Sequence, residues 1–181
     1  MDERLSPPGP HTPSLELTQP WLWALAATVA QPPIGHPRTG KWLWFPPLSQ
    51  LDGAWAVIRS AVEADRLGFA AKAGTLGNSR PGSDDTRRPI CIYTPDWRDT
   101  HDVERILVQL RALGVLDTLR YKTDQATRSG RYGAGAATYL SPAGTVTLIV
   151  PRRTREELDH YYEALAQARL AADRRRRGTS P

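Results

Sequence analysis

Short hydrophobic runs bounded by proline, glycine or polar residues recur along the chain and predict the strands of a sheet. Four such runs are GKWLWF (40–45), FAAKAGT (69–75), PICIYT (89–94) and DTLRYKT (117–123). A fifth stretch, ATYLSPAGTVTLIV (137–150), is typical of two strands around a Ser-Pro-Ala-Gly turn. These five stretches together predict six strands.

Apolar residues at helical spacing predict helices between the strands. The first covers residues 51–68, with Trp55, Ile58, Ala61 and Val62 on one face and Gly68 at its end. The second starts with Asp99 or Thr100 as N-cap and ends at Gly114. The last starts at Thr154, which forms a capping-box spacing with Glu157. The apolar run PWLWALAATVA (20–30) predicts a short helix, with Trp21 or Trp23 against the core.

The order of these elements predicts an α+β fold. Short hairpin-like connections occur beside helical crossovers, which favours a curved, mainly antiparallel sheet with helices packed on one face. The opposite face of such a sheet is then free to form a concave site.

Both ends of the chain lack this periodicity. We expect residues 1–19, rich in proline and small polar residues, to be a disordered N-terminal segment. Residues 173–181 form a basic tail, so a single α+β domain is predicted over residues 20–172. Within it, turn-forming residues predict an exposed loop over 76–88.

The net charge of +5 is concentrated at one end, because Arg174–Arg177 supply four of those charges. We expect this run to be a solubilising end, with weak nucleic-acid contact as the alternative. The single cysteine, Cys91, excludes an internal disulfide and a Cys-rich zinc site, and it fits a reducing compartment. The longest apolar run, 22–30, is too short to span a bilayer, so we expect a cytoplasmic protein without membrane contact.

Lysine is rare in this chain. Of 24 basic residues only three are lysines, namely Lys41, Lys72 and Lys122, and each lies in or beside a predicted strand. Where arginine is used so freely, the remaining lysines are candidates for positions that need a compact ammonium whose pKa can shift. Chance is the alternative explanation.

The stretch YKTDQATRSGRYG (121–133) places cationic and hydroxyl side chains around two glycines. It is either a solvated loop or the lining of the concave site, where Lys122, Arg128 and Arg131 would hold an anion. We favour the second interpretation. Thr123, Asp124 and Thr127 would fix the loop through side-chain-to-backbone hydrogen bonds.

Several blocks resemble a known family in their order and spacing. GKWLWF, AAKAGT, IYTPDWRD and YKTDQATRSGRYG, as a set over about residues 38–142, resemble the basophilic-leukaemia-expressed (Bles-type) domain of unknown function. The resemblance implies membership of the superfamily of the cap-binding translation initiation factor, and hence an initiation factor 4E-like fold. Cap-binding factors hold a methylated guanine between two loop tryptophans, with a glutamate beside one. No acid follows Trp21 or Trp23 here, so we do not predict cap recognition.

Binding of a phosphate-bearing nucleotide or RNA is the function that we predict from these residues. Aromatic rings stack bases and cations contact phosphates. Trp42 and Trp44 also offer rings, but they alternate with Leu43 and Phe45 and are more typical of core packing. Ser129, Gly130 and nearby backbone N–H groups predict an anion-binding nest. The predicted ligand-binding residues are Lys41, Lys72, Tyr93, Trp97, Lys122, Thr127, Arg128, Gly130, Arg131 and Tyr132.

Two alternatives remain open. Proteins of the resembled type are sometimes labelled phosphothreonine lyases, which implies a lysine base, an acid and cations for the phosphate. Lys72 or Lys122 would be the base, Tyr132 or His101 the acid, and Arg128 or Arg131 the phosphate contact. The second alternative is a non-catalytic scaffold that binds protein through an exposed helix.

No cofactor or metal is predicted. The chain contains no Walker loop and no dinucleotide fingerprint. Asp96, Asp99 and Asp124 lack the spacing of a metal site, and Asp96 and Asp124 are expected to cap turns or to pair with Arg98 or Lys122.

Overall fold

A computed structural model gives the structure of the chain, and it describes residues 12–29, 33–78, 86–129, 136–151 and Glu163. The chain forms two compact units, residues 1–149 and 150–181. Every strand and helix named below belongs to the first unit. The helix predicted from Thr154 onward and the arginine tail lie outside the described residues, apart from Glu163, which is helical.

Six antiparallel strands form one sheet. The strands are β1 (Trp21–Leu25), β2 (Gly40–Trp44), β3 (Ala70–Gly74), β4 (Ile90–Thr94), β5 (Leu119–Thr123) and β6 (Tyr139–Ser141). Their order across the sheet is β1-β3-β4-β2-β5-β6, and every neighbouring pair is antiparallel. The prediction of an α+β fold with an antiparallel sheet is therefore confirmed.

Within the described residues of the first unit, three α-helices accompany the sheet: α1 (Leu48–Glu63), α2 (Thr100–Ala112) and α3 (Asp124–Arg128). Helix α2 begins as predicted, because the carboxylate of its N-cap Asp99 accepts a hydrogen bond from the backbone N–H of Asp102. It ends before Gly114, whose φ of +86° is the left-handed conformation that favours glycine after a helix. No helix in the described part of the chain is long and apolar enough to cross a membrane.

The two long helices cover one face of the sheet. Trp42 of β2 is fully buried, and its Nε1 donates to the carbonyl of Val103 in α2 at 3.1 Å. Helix α1 contacts β1 and β3, and β1 buries Leu22 and Ala24 while Trp23 stays partly exposed. The main core therefore lies between this face and the apolar sides of α1 and α2.

The prediction of a short helix over residues 20–30 is wrong. Residues 21–25 form the edge strand β1, which pairs with β3. All five residues of the run WLWAL are apolar, so the sequence shows no alternation of apolar and polar positions that would indicate a strand with one buried and one solvated face. Hydrogen bonds to β3, almost fifty residues later in the chain, decide its conformation.

Two further predictions, the second strand within residues 137–150 and the exposed loop over residues 76–88, are only partly correct. The predicted second strand within residues 137–150 is reduced to a single bridge, in which Leu140 and Ile149 exchange backbone hydrogen bonds of 2.8 Å. Within the loop expected to be exposed, Arg88 is buried, and its Nε donates to the carbonyl of Thr75 at 3.1 Å. Residues 79–85 of that loop lie outside the described residues.

The described part of the N-terminal segment is tied to the domain. The backbone N–H of Ser14 donates to the carboxylate of Asp52 in α1 at 2.9 Å. The backbone N–H groups of Leu76 and Gly77 donate to carbonyls of residues 13 and 16. Residues 12–19 therefore lie along α1 and the turn after β3.

Gly68 is required by a close approach between two backbones. A Cβ atom at this position would lie 1.8 Å from the carbonyl oxygen of Tyr93. Because the obstacle is backbone in the central strand β4, no side-chain rotation can relieve the overlap.

We expect Gly68→Ala to lower the free energy of unfolding by at least about 2 kcal/mol, because the chain before β3 must move away from β4. Chemical denaturation measures the change. Gly53→Ala in α1 is the matched control, since a Cβ there meets nothing within 4 Å. That control should stabilise the protein by up to about 1 kcal/mol. A Gly68→Ala protein as stable as the wild type would contradict the close approach.

Candidate functional site

The strand register places all three lysines of the chain on one face of the sheet. Lys41 in β2 stands opposite Tyr93 on one side and Lys122 on the other. Lys72 in β3 stands opposite Cys91, two residues before Tyr93 in β4. Directly opposed residues of antiparallel strands share a face, so these side chains lie on the side of the sheet away from Trp42. We call this side the lysine face; β1 adds Trp21 and Trp23 to it.

Lys72 lies among aromatic rings. Its Nζ is 3.9 Å from the ring centroid of Trp21, 5.1 Å from that of Trp23 and 6.0 Å from that of Tyr93. Trp23 also stacks with Tyr93, with ring centroids 5.8 Å apart and 22° between the planes. The negative faces of the rings attract the ammonium group. Trp23 remains 42% exposed, so its ring is open to a ligand.

Lys41 and Lys122 form a second, buried cluster with Asp124. Each lysine is 6% exposed and Asp124 is 5% exposed. The ammonium of Lys41 forms an ion pair with Asp124, the first residue of α3. The other oxygen of that carboxylate accepts a hydrogen bond from the backbone N–H of Gly35 at 3.0 Å. Asp124 therefore ties β2, α3 and the segment before β2 together.

The surroundings of Lys122 disfavour its charge. Burial, followed by the positive charge of Lys41, lowers the pKa of Lys122 from its usual 10.5. Burial raises the pKa of Tyr93. Burial also raises the pKa of Cys91, although the ammonium groups of Lys72 and Lys41 act in the opposite direction. Tyr93 and Cys91 are thus uncharged near neutral pH, and Cys91 packs in a buried apolar cluster with Phe69, Ala70 and Tyr93.

Four of the predicted ligand-binding residues come together on the lysine face: Lys41, Lys72, Tyr93 and Lys122. Trp97 lies beside the opposite face, because its carbonyl accepts a hydrogen bond from the hydroxyl of Tyr139, whose ring contacts Tyr121 on that face. Gly130, Arg131 and Tyr132 lie outside the described residues.

The stretch predicted to be a loop after β5 is helical over residues 124–128. The hydroxyl of Thr123 caps this helix by accepting from the backbone N–H of Ala126 at 3.1 Å, and Thr127 donates to the carbonyl of Thr123 at 3.3 Å. These are the side-chain-to-backbone bonds that the sequence predicts. Arg128 is exposed at the end of α3.

Sequence reasoning left Trp21 and Trp23 out of the site, because it assigned them to a helix. Side chains two positions apart in a strand share a face, so both rings lie on one face once WLWAL is known to be a strand. The predicted pairing of Asp96 with Arg98 is present at 2.9 Å, whereas the ion pair of Asp124 is formed with Lys41.

The strand tryptophans of β2 belong to the opposite face. Trp42 is core, and the Nε1 of Trp44 donates to the carboxylate of Asp117 at 2.7 Å. His101, the alternative acid, is exposed at the start of α2. Among the residues that the structure describes, no group of His, Cys, Asp and Glu side chains is arranged to hold a metal ion.

We expect Lys122 to titrate below 10.5, the usual pKa of lysine. A protein labelled with 13C-lysine gives only three Cε signals, which can be assigned by substitution and followed by NMR across pH. Lys41→Met removes the neighbouring positive charge, so the pKa of Lys122 should rise in that variant. A Lys122 signal that titrates at or above 10.5 would contradict this description of the cluster.

Because the folded-state pKa of Lys122 is lowered, its protonated form costs stability below that pKa, and the cost disappears as pH rises toward 10.5. Lys122→Met should therefore leave the free energy of unfolding at pH 7 unchanged or raise it. Denaturation of the wild type and the variant at pH 7 and pH 10 measures the difference, which should be smaller at pH 10.

Asp124→Asn should destabilise the protein by about 3–5 kcal/mol, because the buried ammonium of Lys41 then lacks its carboxylate. The double variant Lys41→Met, Asp124→Leu removes both charges and should recover most of that loss in chemical denaturation. If Asp124→Asn alone is as stable as the wild type, the buried pair does not exist in solution.

Comparison with known protein families adds an independent observation. Residues 35–130 match the family described as Basophilic leukemia-expressed protein Bles03. The match covers more than half of the chain, runs from the segment before β2 to the end of α3 and contains all three lysines. Trp21 and Trp23 lie before it. The chain therefore belongs to the Bles03 family.

Proposed function

We propose that the lysine face binds a phosphate-bearing ligand, either a nucleotide or RNA. The proposal is carried by one observation. All three lysines of the chain share one sheet face with Trp21, Trp23 and Tyr93, although these residues are spread between positions 21 and 122. Ammonium groups beside exposed aromatic rings are the side chains that contact phosphates and stack bases.

The cluster of Lys41, Lys122 and Asp124 is the phosphate end of this proposed site. Two ammonium groups stand opposite each other on neighbouring strands with one carboxylate beside them. A phosphate oxygen would accept charge-assisted hydrogen bonds there and would relieve the unfavourable environment that lowers the pKa of Lys122. Ligand binding should accordingly raise that pKa.

The aromatic end of the proposed site is Trp23. Its ring already stacks on Tyr93 and remains partly exposed, so a base can stack on the open side. Stacking of a base on an aromatic side chain contributes about 1–3 kcal/mol. Lys72, held between Trp21 and Trp23, adds positive charge next to the base.

We propose further that the fold is initiation factor 4E-like. The antiparallel sheet with α1 and α2 on one face and the lysine face on the other supports this assignment. Classical cap recognition is not part of the proposal, because no acidic residue follows Trp21 or Trp23 before Asp52. Weak nucleic-acid contact by Arg174–Arg177 stays a prediction, since these residues lie outside the described part of the chain.

Calorimetric titration with nucleoside mono-, di- and triphosphates and a short 5′-phosphorylated RNA tests the proposal. We expect at least one of them to bind the wild type. Lys122→Met should weaken binding on the order of tenfold to a hundredfold, which corresponds to one charge-assisted hydrogen bond. Trp23→Ala should weaken binding of nucleotides but not of inorganic phosphate.

Arg105→Met is the matched control, because it also removes one positive charge but lies on α2, against the other face of the sheet. It should bind like the wild type. Absence of binding by every compound in the panel would reject the phosphate-ligand proposal and favour the scaffold alternative. Equal weakening by Arg105→Met would indicate a general charge effect and not a site.

The lowered pKa of Lys122 favours one second candidate, elimination of phosphate from a phosphothreonine peptide. The free amine of Lys122 would remove the Cα proton while the phosphate leaves. Incubation with a phosphothreonine peptide should then release inorganic phosphate and leave a peptide that has lost the elements of phosphoric acid, seen by mass spectrometry. Lys122→Met should abolish this release, and a peptide unchanged by the wild type would exclude the lyase.

A further inference from the structure

The buried cluster on the lysine face has a chemical feature that phosphate binding does not require. Lys122 stands directly opposite Lys41 across two neighbouring strands, with their side chains on the same face and equally buried. A lysine that is removed from water and placed beside a second ammonium loses its proton more easily than a free lysine, and the free amine is a nucleophile. Lys122 meets both conditions.

We propose that Lys122 is a carbonyl-reactive amine, which forms an imine with a small 2-oxo acid on the lysine face. The geometry that supports this assignment is the cross-strand pair of Lys41 and Lys122 beside the carboxylate of Asp124. The proposal goes beyond the binding of nucleotides and does not depend on it.

The chemical class of the ligand follows from the neighbours of Lys122. The ammonium of Lys41 provides a partner for the carboxylate of the ligand, as it already does for Asp124. Leu43 and Tyr93 lie on the same face as the two lysines, and both lysines are buried, so a ligand of few carbon atoms is favoured. A 2-oxo acid carries its carboxylate next to the carbonyl carbon, which matches two amines standing side by side.

The reaction balances without any other reactant. The amine nitrogen of Lys122 forms a bond to the carbonyl carbon, and its proton moves to the carbonyl oxygen to give a carbinolamine. The oxygen then takes up a second proton from solvent, the bond from carbon to that oxygen breaks, and one water molecule leaves. The products are a protonated imine and water.

Charged and titratable groups on each neighbouring element act on Lys122. Lys41 on β2 is positive and favours the free amine, and the cationic Arg120 on β5 lies on the same face. Asp124 on α3 opposes them, and Tyr93 on β4 is neutral because burial raises its pKa. We therefore expect the rate of imine formation to rise with pH and to level off below 10.5, the usual pKa of lysine.

Reductive trapping with pyruvate and sodium cyanoborohydride tests the proposal on the full chain. Peptide mapping by mass spectrometry can assign every adduct, because the chain contains only three lysines. We expect the adduct on Lys122 to form on the order of tenfold faster than on Nα-acetyl-lysine amide at pH 7.5, because burial and the charge of Lys41 lower the pKa of Lys122. Arg105→Met, which removes a positive charge on α2 against the other face of the sheet, should leave this rate unchanged. Lys41→Met should slow it.

Lys122→Arg keeps the positive charge but removes the nucleophile, and it should lose this adduct. Lys122→Met is the second variant if the arginine protein does not fold, as judged by circular dichroism. A wild-type adduct on Lys122 no faster than on the free amino acid derivative would overturn the proposal, as would modification mainly at Lys72 or at the chain terminus. Nucleotide binding is measured separately and can persist in Lys122→Arg, so the two proposals can fail independently.

Discussion

The pairing of β2 with β4 on one side and β5 on the other determines where Lys41, Lys122 and Tyr93 lie. Through these two ladders, Lys41 stands between Tyr93 and Lys122, while Trp42 stands between Ile92 and Tyr121. A shift of β2 by one residue against β4 and β5 would move Lys41 into the helix-covered core and Trp42 into the site. The burial of Trp42 against α2 makes such a shift costly, so the core on one face maintains the chemistry on the other.

The three lysines share a face but differ in what surrounds their charges. Lys72 is held by aromatic rings, and Lys41 by the carboxylate of Asp124. Lys122 is the one whose pKa is lowered, because it is buried and faces Lys41. Positive charge kept in an unfavourable environment costs stability, and such costs are common at sites that bind or react.

The fold class and most of the central strands could be predicted from the sequence, because their hydrophobic runs are short and bounded by proline or glycine. Helix α2 was predicted from its apolar face, its N-cap Asp99 and Gly114, all local signals. Strand β1 could not be predicted in this way, because it is apolar on both faces and its sequence shows no alternation of apolar and polar residues. Its conformation depends on pairing with β3. The omission removed Trp21 and Trp23 from the predicted site.

The order of residues along the chain is enough to predict an α+β protein in which lysine is scarce and lies in or beside strands. These properties depend on residue identity and on spacing within a few positions. The folded structure is needed to show that Lys41, Lys72 and Lys122 share one face, that Asp124 pairs with Lys41 and that Trp23 stacks on Tyr93. Each of these contacts joins residues on different strands or helices, and their register follows from packing across the whole sheet.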